Sequence, residues 1–215
     1  MSIRTGLTTA ASVVVLAAAL AACGSDGTPP ATTSEAASIS HCVRSVAPRN
    51  GVTPGGTALC LGSPATFRVQ SRTRTEATVR VTVTAVQQGS AADLAKVAGQ
   101  IPKFVTAARN DVYYLHATVT MVATRNPADF ARRNPLEVGF GLTTTGERGQ
   151  GYVGVRTDSC DGSSGFGSGA VGDSFEYCDL AFVAKGDQPV SVTFSNPLGP
   201  EPLLGDPVRW AAGSS

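Results

Sequence analysis

The chain has 215 residues, 42% of them hydrophobic and 15% charged, with 17 Lys+Arg against 16 Asp+Glu and a formal net charge of +1. That balance excludes a nucleic-acid binder working through bulk positive charge, which needs excess basic groups to displace counterions. It also excludes disorder throughout, because disordered chains are poor in apolar residues and usually strongly charged.

Residues 1–22 have the three parts of a secretory leader. Arg4 supplies the positive region, and Ala10 to Ala22 (AASVVVLAAALAA) is an apolar run interrupted only by Ser12. The run is too short to cross the ~30 Å hydrocarbon layer as a helix. It ends in Leu20-Ala21-Ala22-Cys23-Gly24. This segment resembles the lipobox of bacterial lipoproteins, matching it at Leu20, Ala21, Ala22 and Cys23 without departure. The resemblance implies cleavage just before Cys23, a diacylglycerol thioether on its sulfur, and a further acyl group such as palmitate on the new N-terminus. Two or three acyl chains hold a protein to a membrane where one does not, since each buried CH₂ contributes ~0.8 kcal/mol. The expected location is therefore the extracytoplasmic face of a cell membrane, reached through lipid rather than a spanning helix. Arg4 is the one charged residue of the leader, so the mature chain is formally neutral. Residues 23–40, containing GSDGTPPATTSEAASIS, are small, polar and Pro-containing, and read as a flexible tether open to O-glycosylation. The domain proper is expected over residues 41–215.

Period-two alternation then dominates. Thr66 to Gln70 is a weak strand candidate. Ala77, Val79, Val81, Val83 and Ala85 alternate with Thr78, Arg80, Thr82 and Thr84 as a half-buried strand. Ser90 with Asp93 three residues on predicts a capped helix carrying Leu94 and Val97, ended by Pro102. Tyr113, Leu115, Ala117, Val119 and Met121 alternate with Tyr114, His116, Thr118 and Thr120. A short helical turn is expected at Pro127 to Arg132. Leu136, Val138, Phe140 and Leu142 mark the next strand, Tyr152 to Arg156 a weak one, and Phe175 to Ala184 another, with Cys178, Leu180, Phe182 and Ala184 on one face. Val190, Val192 and Phe194 follow, and Trp210 is expected to pack a last strand into the core. Many strands, one or two short helices and no βαβ alternation predict an all-β fold, an antiparallel immunoglobulin-like β-sandwich.

The strand order carries a second likeness. Arg80 to Val86 (RVTVTAV), Tyr114 to Ala123 (YLHATVTMVA), an Asn-Pro turn, Phe140 to Gly146, Leu180 to Gly186 (LAFVAKG) and Val190 to Phe194 together resemble a domain of unknown function borne by many Gram-positive and actinobacterial lipoproteins. The likeness spans about residues 66–212, and a longer Cys-bearing loop between 158 and 178 departs from it. It implies an immunoglobulin-like sandwich with a binding or scaffolding role, and brings no catalytic residues. The Ala/Gly/Arg-rich, Lys-poor usage suits a high-GC actinobacterium.

The four cysteines other than Cys23 are Cys42, Cys60, Cys160 and Cys178. An even count in an exported chain predicts disulfides, with three possible connectivities. Cys42–Cys60 and Cys160–Cys178 are favoured because each closes a local loop rich in turn residues. No C-x-x-C pair points to zinc, so no metal or cofactor is expected.

Other motifs are weak. Gly167-Ser168-Gly169-Ala170-Val171-Gly172 matches G-x-G-x-x-G but lacks the strand–helix frame of a dinucleotide site. His41 and His116 are the only histidines. A triad from His116 with Asp111 or Asp173 would need an exposed Ser on a nucleophile elbow, and none is present. Asp158, Asp161 and Asp173 lack EF-hand spacing, and Glu176 and Asp179 fall on opposite strand faces. Arg72/Arg74 and Arg132/Arg133 read as solvated turn charges, or as contacts for an anionic envelope partner. Tyr113, Tyr114, Phe166 and Trp210 are the candidate aromatic contacts. The expected function is non-enzymatic: a lipid-anchored protein-binding or scaffolding module contacting an envelope protein or ligand, with loops 125–135 and 158–178 at one end as the contact surface. The alternatives are a carrier or sensor of a small apolar ligand and, further off, an envelope hydrolase.

Overall fold

A computed structural model describes residues 41–140, 150–151, 157, 160, 165–195 and 207–212. The expectations that fall on Cys23, the leader, the tether and Tyr152 to Arg156 lie outside the described residues.

Among the described residues, nine strands, one α-helix and one 3-10 turn follow in order: β1 Ala58–Cys60, β2 Pro64–Gln70, β3 Glu76–Gln88, α1 Ala91–Val97, β4 Asn110–Thr124, the turn Pro127–Asp129, β5 Glu137–Phe140, β6 Gln150–Gly151, β7 Ser174–Ala184, β8 Ser191–Ser195 and β9 Val208–Ala211. They form two sheets, β1-β9-β8-β5 and β2-β3-β4-β7-β6. The chain is thus mostly β, with the two short helical elements that its pattern predicts. One pairing departs from the antiparallel expectation. β1 runs parallel to β9, opposing Leu59 to Trp210, whereas all other described strand pairs are antiparallel. The N-terminal segment and the chain's last strand meet at this sheet edge, a long-range closure that no local spacing encodes.

The inner faces share one core. Ala65, Val69, Val79, Val81, Val83, Leu115, Ala117 and Val119 from the five-stranded sheet meet Leu59, Val192, Phe194, Val208 and Trp210 from the other. Phe67 stacks on Phe194 across the interface at 4.4 Å between ring centroids. Trp210 is fully buried, and its indole N–H donates to the Ser63 carbonyl at 2.8 Å, so its polar edge is satisfied inside the core.

The alternation in β3 changes phase at a bulge between Val83 and Ala85. Val86, rather than Ala85, then packs against the core. One extra residue on one strand turns every later side chain to the other face.

The outer face of the five-stranded sheet is not wholly polar, and here the alternation misleads. Ser90 caps α1 through a complete capping box with Asp93. Leu94 and Val97 of α1, with Ile101 and Val105 beyond it, cover Val112 and Tyr114 of β4 and Leu180 and Phe182 of β7. Cys160, bonded to Cys178, extends this second cluster. Residues 112–115 and 180–183 are therefore buried on both faces.

Candidate functional site

One end of the molecule collects basic side chains on loops that lock one another in place. The β2–β3 hairpin turns through Ser71, Arg72, Thr73, Arg74 and Thr75. The Ser71 amide donates to the Thr75 carbonyl at 2.8 Å and the Thr75 amide to Ser71 Oγ at 3.1 Å. Thr75 Oγ1 donates to Asp129 Oδ2 in the 3-10 turn, joining this hairpin to the segment that carries Arg125, Arg132 and Arg133. Hydroxyl donors from Thr75 and Thr73 hold the Asp129 carboxyl below its ordinary range, with Arg133 helping. The loop from Gly165 to Asp173 closes the cluster: the Arg132 amide donates to the Phe166 carbonyl, and the Phe166 amide to the Arg133 carbonyl.

Phe166 anchors that loop, fully buried and edge-on to Phe175 at 4.9 Å. Two glycines allow the close approach. A Cβ on Gly165 would fall on the backbone of Arg133, and one on Gly169, whose φ is +75°, would fall on the Pro127 carbonyl. Asp173 is used up internally. Its Oδ2 accepts the Ser168 and Gly169 amides at 2.7 and 2.9 Å, which lowers its pKa. The G-x-G-x-x-G run is therefore a turn wrapped around a carboxylate, and a nucleotide phosphate would meet a negative charge there.

On the adjoining outer face of the five-stranded sheet, an open depression of about 200 Å³ is lined by Arg68, Glu76, Ala77, Thr78, Ala123, Thr124 and Arg125. Register places Arg68 opposite Thr78, Thr78 opposite Ala123, and Arg80 between Thr66 and Thr120. Arg72, Arg74, Arg125, Arg132 and Arg133 are all exposed, as are Arg68 and Arg80. Arg68 donates to the Asn50 carbonyl at 3.2 Å. The Arg pairs at 72/74 and 132/133, far apart in sequence, thus belong to one loop cluster, joined through Asp129. That juxtaposition comes from a Thr–Asp contact across 54 residues, which spacing does not reveal.

The remaining predicted residues divide as follows. Cys42 is bonded to Cys60, and Cys160 to Cys178. Trp210 packs in the core as its strand predicts, while the other candidate aromatic contacts are corrected: Tyr113 and Phe166 are buried in the core between the sheets, and Tyr114, on the face that alternation leaves polar, is buried under α1. His116 sits opposite Cys178, far from Asp111, whose carboxylate instead accepts Lys185 Nζ at 2.6 Å and the Gly186 amide at 2.8 Å. Five residues along β4 separate the two, roughly 17 Å. Glu176 accepts from Thr118 Oγ1 at 2.9 Å on the outer face. Asp179 lies with inward-facing Tyr177 and Ala181 and accepts the Tyr177 hydroxyl at 3.2 Å. Burial pushes its pKa up to about 6. Asp158 and Asp161 lie outside the described residues.

No family model, curated protein or solved structure matches this chain.

Proposed function

We propose that this chain is a lipid-anchored lipoprotein of the extracytoplasmic membrane face, carrying an immunoglobulin-like β-sandwich that acts as a non-enzymatic binding module. The observation that carries the reading is the state of the cysteines. Cys42, Cys60, Cys160 and Cys178 are consumed in two disulfides, bonds that persist in oxidising compartments. Of the five cysteines, this leaves Cys23, in the lipobox-like segment, as the sulfur free for a thioether.

A surface role is favoured over a carrier role by the filling of the interior. Trp210, Phe130, Phe166, Leu59, Leu115, Met121 and Leu180 are all buried to below 2% exposure. A binding role is favoured over hydrolysis because the carboxylates that a catalytic set would recruit hold structure: Asp111 pairs with Lys185, Asp129 with Thr75, and Asp173 with its own loop. The contact surface in this reading is the end bearing the locked arginine loops.

The test is the anchor. Cys23→Ala should release the protein from the membrane fraction, or leave it as an uncleaved precursor, and abolish incorporation of labelled palmitate. Unchanged fractionation, mobility and labelling would overturn the reading.

A further inference from the structure

The partner of the arginine-bearing end can be specified by its chemistry. We infer that this end binds a flexible, phosphate-bearing polyanion that runs from the depression beside Arg68 around the corner onto the loops carrying Arg72, Arg74, Arg125, Arg132 and Arg133. The inference rests on the binding-module reading above and names its ligand.

Three observations carry it. First, among the described residues this end carries seven exposed arginines, with Arg68 and Arg80 among them, and four carboxylates: Glu76, Glu176, Asp129 and Asp173. The carboxylates of Asp129 and Asp173 accept hydroxyl and amide hydrogen bonds that hold them in the charged form, so seven cations against four carboxylates leave an excess of three positive charges among the described residues of this end. All seven cations are arginine. Its planar fork grips phosphate with two parallel hydrogen bonds, where lysine offers a point charge.

Second, two of these arginines hold backbone conformations that favour glycine, φ +64° at Arg74 and φ +57° at Arg132. A side chain in the left-handed region costs roughly 1–2 kcal/mol relative to glycine. Both side chains are exposed, and both backbones are held by turn hydrogen bonds, the Arg74 amide donating to the Ser71 carbonyl at 2.9 Å and the Arg132 amide to the Phe166 carbonyl. The two arginines therefore stand on fixed turn backbone, which lowers the ordering cost of a contact made through them.

Third, the shape selects among anions. Arg68 and Arg80 stand on a sheet face, while Arg72, Arg74, Arg132 and Arg133 stand on the loops beyond the strand ends. A flat bilayer meets one of these surfaces at a time, whereas a flexible chain follows both. A protein partner would favour a large apolar anchor at the centre of its contact. Among the described residues the exposed large apolar side chains are Val43, Phe104 and Val171, and of these Val171 alone belongs to these loops.

The test uses the full-length lipidated protein in detergent, with labelled long-chain inorganic polyphosphate as the probe and fluorescence anisotropy as the readout. Binding is expected, weakening about tenfold or more between roughly 50 and 200 mM salt. Arg74→Gly with Arg132→Gly removes two charges while relieving backbone strain. Affinity should fall on the order of tenfold with the thermal midpoint unchanged or raised. Lys96→Gln with Lys103→Gln, the same charge change on and just after α1 at the other end, should leave binding unchanged. Equal binding by the glycine variant, or an equal loss in the lysine control, would overturn the inference. So would full displacement of the probe by phosphatidylglycerol in the micelles, which would make the surface a membrane contact. Failure here with palmitate still on Cys23 would leave the anchoring reading standing; an unlipidated cytosolic chain would remove that reading itself.

Discussion

Asp179 places a carboxylate on the inward face of β7, where Leu115 opposes it on β4. Desolvation dominates its environment and raises its pKa to about 6, against an ordinary value of 3.8. A raised carboxylate pKa stabilises the fold through the protonated form. The contribution is fully present below about pH 4 and is lost as pH rises through about 6. A shift of two units is worth roughly 3 kcal/mol. Urea unfolding at pH 4 and pH 7 should therefore show the protein more stable at pH 4 by up to that amount. Asp179→Asn should flatten the profile between pH 4 and 6 and raise stability at pH 7. Asp111, Asp129 and Asp173 act in the opposite sense: their lowered pKa values contribute stability that is lost only as pH falls below the ordinary carboxylate range.

At the scale of elements, α1 is a lid on the outer sheet face. Its apolar residues, Leu94 and Val97, cover Tyr114, Leu180 and Phe182. Seven residues are too few for a helix stable on its own, so the Ser90–Asp93 capping box and this packing hold it in place. Ser90→Ala should cost about 1 kcal/mol, and Leu94→Ala about 2–5 kcal/mol because it opens the cluster beneath. Both are measurable by chemical denaturation. The loop cluster at the other end depends on glycine. Gly169→Ala combines a positive φ with a clash against the Pro127 carbonyl. It should expose the 165–173 loop to protease and weaken polyphosphate binding while the sheets remain folded, as read by far-ultraviolet circular dichroism. A variant that keeps both protease resistance and binding would show that the loop tolerates the added atom.

At the scale of the molecule, the disulfides tie the sheets to segments with little packing of their own. Cys42–Cys60 holds the N-terminal segment to β1 at the parallel edge, and Cys160–Cys178 holds a distant loop residue to β7. Each spans 18 residues, a closure worth roughly 3 kcal/mol. Replacing Cys160 and Cys178 by Ser should lower the thermal midpoint by about 10 °C for a domain of this size. The loss should exceed that from an exposed Ser substitution, and reduction of the native protein, which opens both bridges, should lower the midpoint further.

Short-range chemistry wrote part of this protein openly. Alternation marks β3, β4 and β7 because a half-buried strand repeats every two residues. The Ser90–Asp93 pair marks α1 because a helix start leaves amides needing acceptors, and the even cysteine count goes with bonds in both local loops. The candidate site was legible only as two separate arginine pairs. Its assembly required the Thr75–Asp129 contact, and the burial of Tyr113 and Tyr114 required α1 and the facing sheet. The parallel β1–β9 edge, the bulge that moved Val86 inward and the half-buried, inward-facing Asp179 were likewise settled by tertiary structure. Which strand lies beside which, and which polar face another element covers, depends on contacts between residues far apart along the chain. Local propensity and periodicity carry no record of those contacts.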